Sequence, residues 1–294
     1  MGLNHEIKLR WDQRLSDDET EHDTTNRYRA SYRAPTLGDS HWGLNVATEF
    51  KHTPYTDTQP YNAYNHSASI IGTYRLTRRA TRTGWSFPMG LAYQNDYHHG
   101  ANAPAEAGQT LAARVGINYD NVTFRVFSDE GTRFGITGDF ALPELSTDYR
   151  YRSTLAYYER FWELNTPNES LHFQAHLEGY HGGPATRTEP VYGLGGNRRL
   201  RGYKKDTFKG DGRTYLGLEY LHPLPRYKNL RALVLLETGS TAAKFSKLDP
   251  IDTYTSIGLG IRWRIEYLVR VEVDVGLAYP LRGPGKLQVF GNSH

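Results

Sequence analysis

The stretch VYGLGGNRRLRGYKKDTFKGDGRTYLGLEYLHPL, residues 191–224, carries the densest chemistry in the chain. Glycines at 193, 195, 196 and 202 permit tight backbone turns, and Arg198, Arg199 and Arg201 supply fixed positive charge. A guanidinium can form two parallel hydrogen bonds to a carboxylate, so such a loop can be pinned to an acidic wall. A glycine-rich, basic loop also suits phosphate. That reading requires a strand-to-helix context, and here an alternating strand pattern follows directly.

Other chemistry is sparse. His172, His176 and Glu178 share one strand face, a spacing that suits either a metal ligand set or the polar filling of an interior. His98 and His99 fall at a loop tip. No G-x-S-x-G elbow or phosphate loop occurs. A Ser-His-acid triad is assembled in space, so the sequence neither places nor favours one. No catalytic residue, cofactor or metal is expected. Cysteine is absent, which removes disulfides and thiolate metal sites. The net charge of +3 over 294 residues gives no reason to expect nucleic acid as a partner.

The elements that must position these residues are strands. In ESLHFQAHLEGY, Leu171, Phe173, Ala175 and Leu177 alternate with His172, Gln174, His176 and Glu178, and YLVRVEVDVGLAY sorts the same way. Period two places such residues on opposite faces of a strand. Reading strands between turn signals gives about fourteen, near 4–15, 26–35, 41–53, 66–78, 84–98, 109–119, 131–143, 147–162, 169–181, 213–222, 229–238, 253–265, 268–279 and 285–292. The connections alternate between short turns and long loops, among them PYTDTQPYNAYN and the stretch 182–212, with 120–130 a long exception on the short side.

Short turns at one end and long loops at the other are the layout of an outer-membrane barrel. A soluble sandwich or propeller would also alternate, but strands of 10–14 residues exceed the usual ~5–6 and no blade-type repeat is visible. No segment reaches the ~18 apolar residues of a membrane helix. Trp11, Tyr28, Tyr32, Trp85, Tyr97, Tyr149, Tyr151, Phe161 and Trp263 fall near strand ends, as interfacial girdles do. The expected fold is an all-β, transmembrane, antiparallel up-and-down barrel forming one domain over 1–294. A charge at the lipid midplane costs ~2–4 kcal/mol. Arg29, Arg33, Glu49, Lys51, Arg114, Asp139, Arg150, Arg152, Glu178, Glu219, Arg262, Arg264, Arg270, Glu272 and Asp274 are therefore expected to face a wet lumen.

With these motifs in place, the 182–212 loop resembles the sixth extracellular loop of BamA-like outer-membrane assembly and secretion barrels, the bacterial surface antigen superfamily. In that family an Arg-Gly-aromatic tripeptide folds back into the barrel and its Arg meets acidic residues of the inner wall. Arg201, Gly202 and Tyr203 match it, with Gly195 and Gly196 before them. VGINYDN, FSDEGTRFGITGDFAL, SIGLGIRWR and VRVEVDVGLAYPL resemble other family segments, and the likeness spans about 110–290. Glu219 falls at the family's acidic position, and Glu237 where aspartate is more usual. Glu219, Glu237, Asp274, Glu272 and Arg262 are the candidate lumenal partners. Three departures stand out. Family barrels commonly have sixteen strands, no POTRA module precedes this strand pattern, and the carboxyl end lacks a terminal aromatic, with Phe290 four residues short of it.

The resemblance implies an outer-membrane location, contact with lipopolysaccharide or phospholipid, a client polypeptide and an upstream periplasmic domain or partner. It implies insertion or translocation of polypeptides, through a weak seam at the short strand GKLQVFG that would let a client strand pair. A channel or anchor barrel of a larger protein is the alternative, and a membrane-embedded enzyme a third reading.

Overall fold

The computed structural model describes residues 5–14, 25–55, 61–77, 83–100, 103, 108–124, 129–142, 144–145, 148–183, 190–249, 252–265 and 271–293. The strands are β1 (Glu6–Arg14), β2 (Thr25–Ala34), β3 (Trp42–Tyr55), β4 (Tyr61–Arg75), β5 (Gly84–His99), β6 (Gly108–Asp120), β7 (Thr123–Phe124), β8 (Asp129–Ala141), β9 (Tyr151–Glu163), β10 (Ser170–Gly182), β11 (Tyr192–Leu194), β12 (Phe208–Gly210), β13 (Gly212–Leu224), β14 (Tyr227–Ala242), β15 (Tyr254–Ile265), β16 (Val271–Arg282) and β17 (Gln288–Ser293). Fourteen of them form one path in chain order, interrupted only where the short β7 pairs with β8 and where β11 and β12 form their own sheet. Among the described residues the sole helical element is a 3-10 turn at Phe245–Lys247. The chain divides into two compact units, residues 1–118, 137–153 and 182–188 against 119–136, 154–181 and 189–294.

In the first unit the hairpins are longer than the turn signals suggest. β3 and β4 pair from Trp42↔Tyr74 to Tyr55↔Tyr61, so much of PYTDTQPYNAYN, expected as loop, is strand. Stacked rings explain the extension. Tyr64 lies 4.7 Å from His52 and 4.8 Å from Tyr97, both at an 11° interplanar angle. Such cross-strand pairs stabilise a sheet. The polar face is closed by ion pairs: Glu49 binds Arg27 and Arg29, and Arg114 grips Asp139 with bonds of 2.6 and 2.8 Å.

Trp11, Tyr28, Trp85 and Tyr97 are exposed, as girdle residues are. Tyr149 and Tyr151 are buried instead, while Arg150 and Arg152, expected inward, are exposed. Gly108 causes part of this reversal, because a Cβ there would stand 2.9 Å from the Tyr149 ring. The ring fills that space and donates its O–H to Asp96 at 3.3 Å.

The second unit inverts the pattern of a soluble sheet. On one face Leu216, Leu218, Val234, Leu236, Ile257, Leu259, Ile261, Trp263, Val275 and Leu277 are exposed. On the other Tyr215, Glu219, Arg231, Glu237, Ser256 and Asp274 are buried. Exposed apolar and buried charged residues on alternating positions are what a lipid-facing sheet with a polar inner side requires. Phe161, expected in a girdle, is on the polar side, stacked 4.1 Å from His172 with Arg133 over its ring at 5.5 Å. In the exceptional 120–130 connection the described residues include β7, which pairs with the start of β8 as Thr123↔Glu130 and Phe124↔Asp129. Arg270, expected inward, lies outside the described residues.

Candidate functional site

Residues 190–211 do not form an open loop. β11 and β12 pair as Tyr192↔Gly210, Gly193↔Lys209 and Leu194↔Phe208, a hairpin the sequence reading missed. Gly195 and Gly196 have φ of 112° and 107°, the left-handed region that favours glycine. They turn the chain so that the Gly196 N–H reaches the Tyr203 carbonyl at 2.9 Å. Leu200 is forced to φ 54° although it is not glycine, and it is fully buried. Packing against Leu194, Tyr203, Phe208 and Tyr215 holds that strained backbone in place.

Gly202 is required for a different reason. A Cβ there would stand 2.7 Å from Ser256 Cβ and 2.9 Å from the Pro280 nitrogen. The loop tip touches the Ser256 side chain of β15 and the backbone of β16, and no side chain fits between. Tyr203 continues the docking: its hydroxyl lies 3.0 Å from the Thr255 carbonyl and also contacts that of Arg282, sharing one proton between them. Phe208 stacks on Tyr254 at 3.5 Å.

Between these anchors sits Arg201, 4% exposed. Its Nη2 pairs with Glu219, its Nε lies 3.7 Å from Glu237, and its backbone N–H donates to Glu237 at 2.7 Å. Glu237 also accepts from Tyr215 at 2.8 Å and from Ser256 at 3.4 Å. Glu219 is shared with Arg262 at 3.1 Å, and Arg262 in turn grips Asp274 with bonds of 2.6 and 2.7 Å. Of the candidate partners, Glu219 and Glu237 meet Arg201 directly, and Asp274 meets it only through Arg262. Glu272 belongs elsewhere, 2.9 Å from Arg231 and 3.8 Å from Arg264. Register decides this: Arg231, Arg262 and Asp274 stand abreast on β14, β15 and β16.

A second clamp escaped the sequence reading. Glu178 pairs with Arg213 and with Arg199 at 3.2 Å, and Arg213 also donates to the Gly193 carbonyl at 2.6 Å. The loop is thus tied at its root and at its tip. Beside it a polar cleft of about 450 Å³ is lined by Glu159, His172, Arg199, Arg201, Glu219 and Arg262. His172 is bound 3.2 Å from Glu159, and His176 lies among the Tyr157 and Tyr215 rings. Among the described residues no cluster of His, Cys, Asp and Glu is arranged to hold a metal. The arrangement fastens a loop to a wall through charges removed from water.

Comparisons agree with this geometry. A family model described as the Omp85 superfamily domain matches residues 2–285. Among solved structures, BamA from Haemophilus ducreyi lacking POTRA domains 1–3 superposes with a TM-score of 0.70 at 15% identity, over 93% of this chain and 65% of that one. CdiB from Acinetobacter baumannii gives a TM-score of 0.72 at 14% identity, over 99% of this chain and 53% of that one. The chain thus spans a little over half to about two thirds of those structures. No curated protein matches it significantly. At such identities the likeness shows the fold, and the family match shows the kinship. The chain belongs to the Omp85 superfamily, as an all-β, antiparallel up-and-down transmembrane barrel of the outer membrane.

Proposed function

We propose that this barrel is the membrane part of a protein that inserts polypeptides into the outer membrane or translocates them across it, with the Arg201 loop as the lock that holds its working shape. The observation that carries this reading is the burial of Arg201 against two carboxylates at the tip of a docked loop. Removing a charge pair from water is costly, and its return is geometric definition rather than stability.

The partners follow from the same reading: outer-membrane lipid, a client strand, and a periplasmic domain or partner that delivers it. β17 offers a short ladder for exchange, since it pairs with β16 over six positions from Val273↔Ser293 to Ala278↔Gln288. β16 and β15 pair from Thr255↔Arg282 to Ile265↔Val271. A client strand could add to such a short terminal strand by backbone pairing.

The test is reconstitution of the full-length protein in liposomes with an unfolded outer-membrane barrel protein or secreted polypeptide as client. Client assembly or passage well above that of empty liposomes, and lost with Arg201→Ala, is the expected result. Steady ion conductance with no client effect would favour the channel reading instead.

A further inference from the structure

The lock also touches the last strand, through a residue with no assigned role. Phe290 on β17 is 1% exposed. It stands opposite Gly276 in the register, and a Cβ on that glycine would meet the Phe290 ring at 2.5 Å. Gly276 therefore leaves the floor on which the ring lies. Around it pack Leu221, Leu233, Leu235 and Ala278. The guanidinium carbon of Arg201 lies 5.4 Å from the ring centre. The neighbouring residue, Val289, points to the opposite face and is 73% exposed.

We propose that Phe290 is a positioning residue that couples the seating of Arg201 to the anchoring of β17. A cation over an aromatic face is attracted by the ring quadrupole, more strongly when both are out of water. When Arg201 sits between Glu219 and Glu237, the ring is held from above by the guanidinium and from below by Gly276, and β17 is fixed in register. When Arg201 withdraws, the ring loses that partner, and β17 is retained by its short ladder and the ring's remaining apolar contacts. Loop release and loosening of the last strand are then one event. This rests on the reading of the loop as a lock and adds what the lock controls.

The experiment is hydrogen exchange of backbone amides in the full-length protein in lipid nanodiscs, with no client present. Phe290→Leu keeps an apolar side chain but removes the π face, and Phe290→Trp keeps that face. In Phe290→Leu and in Arg201→Gln the β17 amides should exchange about three- to thirty-fold faster, while the β3–β4 ladder, which belongs to the other compact unit, is unchanged. The double variant should exchange no faster than either single one, and Phe290→Trp should stay near the parent. Multiplying effects in the double variant would overturn the coupling. Equal β17 exchange in Phe290→Leu and Phe290→Trp would overturn it as well, and that comparison decides even if Arg201→Gln fails to fold. Because no client is involved, failure here is distinct from failure of the insertion reading.

Discussion

The carboxylate of Glu237 accepts the backbone N–H of Arg201 at 2.7 Å while receiving the Tyr215 hydroxyl at 2.8 Å. Glu237 thus holds the chain of the loop as well as its charge, and three buried groups depend on one side chain. Glu237→Ala should destabilise the barrel by about 3–5 kcal/mol, the cost of leaving a buried charge short of its partner. Glu237→Gln, which retains an acceptor, should cost about 1–3 kcal/mol. Denaturant unfolding in lipid measures both, and equal losses would argue against the backbone role.

Gly202→Ala removes no charge and no hydrogen bond, yet its methyl would stand 2.7 Å from Ser256 Cβ. The tip must lift, and protease cleavage within 190–211 should accelerate at least tenfold. Gly291→Ala is the control, because the nearest atom to its Cβ is the Asp274 carbonyl oxygen at 3.8 Å. It should leave cleavage unchanged.

Leu259 lies mid-strand on β15 and is 62% exposed. In a soluble sheet Leu259→Arg would be near neutral. Facing hydrocarbon it should cost about 2–4 kcal/mol, read from unfolding midpoints in bilayers. A change below about 0.5 kcal/mol, typical of a water-facing site, would contradict the membrane-facing assignment.

Glu169, in the turn between β9 and β10, accepts from Tyr220 and binds His222 at 3.1 Å. These bonds, Tyr220 first, hold its carboxyl down to about 2, from an ordinary 4.5. A depressed carboxylate contributes stability that is fully present above about 4.5 and is lost as pH falls toward 2. Glu169→Gln should therefore unfold at lower denaturant than the parent at neutral pH, and the gap should close as pH drops through that window. A gap that stays constant to pH 2 would sink the assignment.

How far the sequence carries can be seen residue by residue. Alternation locates the fourteen meander strands because lipid exposure imposes period two along each of them. The Arg-Gly-Tyr match leads to Arg201, and the family's acidic positions lead to Glu219 and Glu237. Parity does not say which inward residues meet. Arg231 takes Glu272 and Arg262 takes Asp274 through cross-strand register, which no single strand encodes. The clamp on Glu178 was hidden because Arg213 reaches it through the register of β10 on β13, and Arg199 joins it from the turn between β11 and β12. Gly202 looked like a turn glycine, and its true constraint is the approach of another backbone. Tyr149 and Tyr151 resembled girdle residues because strand-end aromatics look alike whichever face they occupy.

The Arg201 loop is seated against β13, β14, β15 and β16. The chain has no cysteine, and Ser256 is fully buried directly under Gly202, so Ser256→Cys creates a single thiol beneath the loop tip. Its rate of labelling by a water-soluble thiol reagent, in folded protein, reports whether the loop covers it. Slow labelling that rises at least tenfold when Arg201→Gln is added is the predicted result. Rapid labelling at the same rate with and without Arg201 would contradict the lock.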